Sequence, residues 1–345
     1  MRLFFLLALP LLSACSAQPA ADPVHAHLPE PVSNNAVAGL LVEGRMMAYS
    51  FAGLHQGKSW EDVTADAYAC DLEAQSCQEI APLPDGVGRL ASVAVAARGQ
   101  IYIFGGYTVA EDGTERSTPE VWRFDPRSEE YALETQIPVP VDDSVALVRE
   151  DRYIYLVSGW HDTDNVDLVQ VYDLVDQVWF EATRFPGAPV FGHAATLISQ
   201  TRMVLCGGVK VVPAASPEAR RSFVLSNTCW TGEISEQNPA EILWREIDDA
   251  PSAPRYRAAM AADPTQGSEG VLVFGGTTNP YNYDGIGYNG IPANPVQFNR
   301  TLRPVMDLRG VIRWPSNAGP DRYVFLGGMT EDQEVVDWVQ VPSPD

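Results

Sequence analysis

Six segments of this chain each carry a polar or charged residue just before a run of small apolar residues: Asn35, Arg89, Asp143, His193, Arg257 and Arg309, spaced 54, 54, 50, 64 and 52 residues apart. Three of the six are arginine, in a chain with only 23 Lys and Arg among 345 residues. A guanidinium presents five donors in a planar fork and suits bidentate binding of carboxylate, sulfate or phosphate. If these positions converge, they form an anion-recognition site that also holds one acid, Asp143, and one group that titrates near neutrality, His193. The alternative is that the acids and arginines pair with one another, as buried charges must. Trp160, His161 and Asp162 follow the third segment closely enough to join the same site. Acid–base work without a cofactor is then the available chemistry: His193, His161, Asp143 and Asp162 exchange protons, while Asn35, Arg89, Arg257, Arg309, Trp160, Asn279 and Tyr281 hold the ligand.

Other chemistries lack their residues. The five His are His25, His27, His55, His161 and His193, and the first two sit near the N-terminus, so no multi-His metal site is expected. GxSxG, HExxH, Walker and dinucleotide-binding patterns are missing in a matching strand–helix context, so neither metal nor cofactor is expected. With 45 Asp and Glu, the net charge of −22 opposes nucleic acid as a partner. A monomer is expected.

The elements that must position these side chains are strands. Eight Trp, 13 Tyr, 12 Phe, 27 Gly and 27 Pro favour short strands joined by many turns. Five apolar runs end in small residues in the same way: Ile101–Gly106, Ile154–Gly159, Met203–Gly208, Val271–Gly276 and Tyr323–Gly328, with a sixth degraded copy at Met47–Gly53. Their last glycines are 53, 53, 49, 68 and 52 residues apart, a period that suits propeller blades. Continuous apolar runs fit strands covered on both faces. Downstream of the runs come strands such as Val121–Asp125 and Val169–Asp173, then Tyr131 or Trp179.

A strand ending Gly-Gly, followed by a Tyr-Asp strand and a Trp strand, resembles the kelch repeat over residues 35–345. The fold expected is an all-β, six-bladed kelch-type β-propeller with blades at 36–88, 89–141, 142–191, 192–253, 254–307 and 308–345. A seven-bladed ring or two β-sandwiches are the alternatives. The last blade lacks an outer strand, and Val24–Val32 is expected to supply it, closing the ring and removing an open sheet edge. The channel should be lined by the inner strands. The loops after the Gly-Gly runs, His55–Trp60, Tyr107–Ser117, Trp160–Asp162, Lys210–Arg221 and Asn279–Tyr288, should open on its mouth. The aromatic and amide side chains of the last of these suit a carbohydrate.

Residues 1–14 read as a secretory signal. Leu12-Ser13-Ala14-Cys15 resembles the lipobox of bacterial lipoproteins, which implies acylation of Cys15 and a membrane tether over 15–30, with the propeller occupying 31–345. Ser16 after the Cys implies the outer membrane, facing the periplasm. The other cysteines pair by position, Cys70 with Cys77 and Cys206 with Cys229, as structural disulfides of an oxidising compartment.

Secreted bacterial six-bladed kelch proteins include N-acetylneuraminate epimerases, and the chain is similar to them in blade number, secretion and an Arg-bearing channel. The resemblance implies binding of an anionic sugar with epimerase or mutarotase activity, but it carries no catalytic residue across. The competing expectation is a non-catalytic scaffold for envelope proteins, with the long loops as its binding surface.

Overall fold

The computed structural model describes residues 24–214, 216, 221–247, 255–263, 270–278, 289–291, 303, 305–316, 319–330 and 332–342. They form a β-propeller of antiparallel sheets, and the helical content is one 3-10 turn, Trp60–Asp62. Among the described residues no helix is long and apolar enough to cross a membrane.

Four sheets are consecutive meanders of four strands. The first is Ala36–Val42, Arg45–Leu54, Val63–Asp71 and Ser76–Ile80, and the second is Val93–Ala97, Gln100–Phe104, Glu120–Asp125 and Glu130–Gln136. The third is Val145–Arg149, Tyr153–Val157, Val169–Asp173 and Val178–Glu181, and the fourth is Ala194–Leu197, Arg202–Cys206, Cys229–Ile234 and Ile242–Glu246. A fifth four-stranded sheet joins Ile312–Trp314, Arg322–Leu326 and Trp338–Gln340 to the N-terminal strand Val24–His27. Five four-stranded sheets are therefore described where the sequence reading drew six. The stretch 254–307 is described as three strands, Tyr256–Ala262, Val271–Thr277 and Asn289–Ile291.

Apolar clusters lie between neighbouring sheets. Tyr49 and Phe51 of the first meet Ile101, Ile103 and Phe124 of the second, and Tyr155 and Val171 of the third meet Met203 and Leu205 of the fourth. Leu326 and Val339 pack on Ala48 and Tyr68 of the first sheet. Both faces of each middle strand are covered, which is why these strands read as continuous apolar runs. Burying a side chain the size of Phe51 contributes roughly 2 kcal/mol.

The Gly-Gly ends have a backbone cause. Both positions lie in the left-handed region, at φ 72° and 80° for Gly207 and Gly208, where a Cβ on Gly208 would come within 2.8 Å of the Phe191 carbonyl oxygen. In the third sheet Ser158 takes the first position at φ 55°, and its hydroxyl donates to the Val190 carbonyl at 2.9 Å.

Both disulfides are present. Cys70 faces Cys77 and Cys206 faces Cys229 across antiparallel pairs, with Cα atoms 4.0 and 4.2 Å apart. The expected tether needs trimming. Val24–His27 lies in a sheet, with His25 donating to the Leu72 carbonyl at 2.6 Å, so these four residues belong to the fold and not to the expected tether. Cys15 itself lies outside the described residues.

Candidate functional site

Where the inner strands begin, six residues take positive φ: Asn34 (57°), Ala91 (57°), Asp143 (47°), Gly192 (61°), Arg257 (56°) and Asp307 (64°). Their peptides are linked by a closed series of backbone hydrogen bonds. Ala91 N–H donates to Asn34 O (3.2 Å), Asp143 to Ala91 (3.1 Å), Gly192 to Asp143 (2.8 Å) and Arg257 to Gly192 (2.7 Å); Leu308 then donates to Arg257 (3.2 Å) and Asn34 to Asp307 (3.2 Å). Five of the six are not glycine, so the bonds hold side-chain-bearing residues in a conformation they seldom adopt.

That register corrects the alignment drawn from sequence. Asp143 and Arg257 occupy equivalent positions, but Asn35 and His193 lie one residue further along, Arg309 two residues past Asp307, and Arg89 two residues before Ala91. The three arginines do not form a ring at one level.

Each arginine is already engaged. Arg257 donates from Nη2 to Asp143 at 3.0 Å and from Nη1 to Asp307 at 2.8 Å. Arg309 pairs with the other Asp143 oxygen, donates to the Asn34 side chain and lies 3.6 Å from Asp307. Arg89, away from this group, is buried against Asp85, with Glu120 at 3.9 Å. Two cations and two anions thus cancel where the inner strands begin, as burial demands.

The acids of this cluster respond to different surroundings. Burial would raise the Asp143 pKa, but Arg257 and Arg309 together hold it below the usual carboxylate range. Asp142 is pushed well up by burial and then by the charge of Asp143, against the opposing hydrogen bond at 2.6 Å from the Ser117 hydroxyl. Burial lowers the His193 pKa to about 4, outweighing the Val157 backbone and the Asp143 charge, so it is neutral at pH 7. It lines a cavity of about 200 Å³ with Val95, Leu147, Met260, Val311 and Arg309.

The remaining expected residues fall elsewhere. The Asn35 amide donates to Ser50 (2.7 Å) and to the Leu326 carbonyl (3.3 Å), joining the first sheet to the sheet that holds the N-terminal strand. His161 Nδ1 donates to the Pro140 carbonyl at 2.7 Å, the same bond that His55 makes to Pro31 at 2.8 Å, which marks both as loop anchors. Asp162 accepts from the Ser117 N–H at 3.1 Å and lies 3.8 Å from Arg116. Trp160 stacks edge-on with Phe191 at 5.3 Å and lies under the Arg221 guanidinium at 4.9 Å. Asn279 and Tyr281 lie outside the described residues. Sequence reasoning passed over Asn34 and Asp307. The left-handed residue precedes a small one at Ser92, Ser144 and Ala258, but precedes Asn35, His193 and Leu308 in the other three segments, so residue type alone does not mark it.

Three two-stranded ribbons rise from consecutive sheets on this face: Tyr107–Val109 with Glu115–Ser117, Trp160–His161 with Asp164–Asn165, and Val209–Val212 with Ser222–Leu225. They are tied side by side. Ser117 Oγ accepts from the Asp162 N–H at 3.0 Å, Arg221 donates to the Thr163 carbonyl, and the Asn165 amide donates to the Val209 carbonyl at 3.0 Å. The result is a continuous ledge with Val212 and Val224 exposed on its third ribbon.

Comparison with known proteins agrees with this architecture. Residues 88–132 match the family model described as Kelch motif. Kelch-like protein 15 of Danio rerio is 25% identical over 161 residues, 42% of this chain and 26% of that protein. Its Homo sapiens counterpart is 24% identical over 162 residues, 43% of this chain and 26% of that protein. The chain thus spans about a quarter of the length of these relatives. A solved structure titled "Structure of YjhT" superposes with a TM-score of 0.66 at 14% identity, covering 91% of this chain and 95% of that one, which is a likeness of fold.

Proposed function

We propose that this kelch-type β-propeller is a closed, six-bladed interaction scaffold of the bacterial envelope, held to the outer membrane through lipid on Cys15 and binding a protein partner on its ribbon ledge. The observation that carries the reading is that Arg89, Arg257 and Arg309 each pair with the protein's own carboxylates, so the charge an incoming anion would need is already offset. The six-membered series of backbone hydrogen bonds supports six repeats with the three-stranded unit as one of them, and the pairing of Val24–His27 with Trp338–Gln340 supports closure by the N-terminal segment. A propeller does not name a reaction, so the surface must. A ledge with exposed Val212 and Val224 suits a protein surface better than a small solute.

The test is site-specific photo-cross-linking in intact envelopes, with the reactive group at Val224 on the ledge or at Ser144 in the channel. A discrete adduct from Val224 that disappears when Val212 and Val224 are both replaced by Ser, while Ser144 gives none, is the expected result. Adducts from the channel position alone would overturn the reading.

A second reading keeps a sugar acid, with epimerase or mutarotase activity, near the beginning of the inner strands. It is favoured by Asp142, whose raised pKa would let it donate a proton, and by the half-buried Trp160 ring nearby in the fold. A rise in melting temperature with N-acetylneuraminate that neutral sugars do not give, and that Asp142→Asn abolishes, would establish it.

A further inference from the structure

Building on the reading that Cys15 carries lipid, we infer that the propeller stands on the membrane by the face of its hairpin turns, with the ribbon ledge directed away from the lipid. Strand direction carries the argument. In the first sheet the inner hairpin turns at Glu43 and Gly44, between Val42 and Arg45, whereas Leu54 at the other end reaches the loop face and bonds Ser33. In the sheet holding the N-terminal strand, Arg322 begins its strand at the turn end and Leu326 leads to Gly327 and Gly328 at the loop end. Trp338 therefore lies toward the loop face and Gln340 toward the turns. Val24 pairs with Gln340 and His27 with Trp338, so the N-terminal strand runs from the turn side toward the loops. His25 confirms the level: it contacts the carbonyl of Leu72, the side chain of Gln75 in the turn after Asp71, and the edge of Trp314.

Reach then decides the orientation. Nine residue steps separate Cys15 from Val24, and a fully extended chain spans at most about 3.5 Å per residue, so the anchor lies within roughly 30 Å of Val24. The 10-residue strand Arg45–Leu54 runs from the turn end to the loop end, about 30 Å at the usual rise, and the ribbons stand beyond it. A tether long enough only to climb the molecule cannot also lay the ledge against the bilayer. The partner surface is thereby turned toward the compartment that faces away from the anchoring membrane.

The experiment uses the full-length lipidated protein in vesicles of phosphatidylethanolamine and phosphatidylglycerol carrying a headgroup nitroxide lipid. A maleimide fluorophore is placed singly at Ala74→Cys, in the turn beside the N-terminal strand; at Val175→Cys, in a turn of the third sheet; or at Glu111→Cys, at the ribbon tip. Quenching at both turn positions, with emission at the Glu111 position unchanged, is the expected result. Quenching at Ala74 alone would mean that the propeller lies on its side, and quenching at Glu111 would mean the reverse orientation; either overturns the inference while leaving the anchor standing. Flotation of the Cys15→Ser protein with the same vesicles separates the premise: if it floats as well as the parent, both the lipid anchor and the orientation fall.

Discussion

Asp142 and Asp143 are neighbours in the chain, both are buried, and their pKa values move in opposite directions. Both precede the strand Val145–Arg149, and the left-handed backbone of Asp143, at φ 47°, lets the two side chains reach different partners. Asp143 meets Arg257 and Arg309, while Asp142 meets the Ser117 hydroxyl and feels its neighbour's negative charge. Positions a single residue apart thus favour the ionised form of one carboxyl and the protonated form of the other.

Their replacement should separate them by pH. A folded-state pKa above the unfolded value means the native protein binds the extra proton, so Asp142 costs stability progressively as pH rises above about 4. Asp142→Asn is expected to stabilise the protein at pH 7 and to change little at pH 4. Asp143 has the depressed value, so its contribution is present at pH 7 and is lost as pH falls through the acid range. Asp143→Asn should cost about 3–5 kcal/mol at pH 7, since two buried guanidinium groups lose a partner. Urea midpoints for both variants from pH 4 to 8 test the crossing.

Arg257 bridges Asp143 and Asp307, and its removal leaves both acids short of a cation. Arg257→Ala should destabilise by about 3–5 kcal/mol. Arg257→Lys should recover only part of that, because an ammonium lacks the fork that reaches both carboxylates. Thermal unfolding of the two variants side by side reads the difference.

His193 sets an acid limit. Its pKa falls from 6.5 to about 4 on burial, so the unfolded chain takes up a proton first and stability declines as pH drops from about 6.5 toward 4. The loss amounts to roughly 3 kcal/mol by the conversion of pKa shift to free energy. In His193→Gln the slope of stability against pH between 6.5 and 4 should flatten, whatever the variant's stability at neutral pH. An unchanged slope would show that other groups govern this limb.

The disulfides should differ in worth. They close sequence separations of 23 and 7 residues, for which chain entropy gives about 3 kcal/mol and about 2 kcal/mol respectively. Cys206→Ser with Cys229→Ser should therefore lower stability more than the pair Cys70→Ser and Cys77→Ser. Denaturant unfolding measures the order, and mass spectrometry of the parent should find no free thiol at these four positions.

Two left-handed glycines separate strain from collision. Gly44 has open space where a Cβ would stand, whereas Gly208 would press one against the Phe191 carbonyl and the His193 side chain. Gly44→Ala should cost about 1 kcal/mol, in keeping with conformation alone, and Gly208→Ala distinctly more. Equal costs, measured by urea unfolding, would show that the close approach at Gly208 relaxes freely.

Local chemistry determined much of this protein. The apolar runs ending in Gly-Gly recur because a doubly covered strand must finish in a left-handed turn against its neighbour's backbone, and that requirement is written in residue types. The cysteine pairs were legible for the same reason, since each pair sits on adjoining strands of one sheet. Which residue of each segment takes the left-handed position where the inner strand begins was not legible, because hairpin length varies from copy to copy and spacing from the glycines does not count back to a fixed point. Only contact between segments decided it: the hydrogen bonds from Asn34 through Ala91, Asp143, Gly192 and Arg257 to Leu308 set the register. They put Asp307 rather than Arg309 opposite Asp143 and Arg257, and so turned an apparent ring of free arginines into a neutral, self-paired cluster. Residue composition specified charges that needed partners, and tertiary contact between distant repeats chose which partners they found.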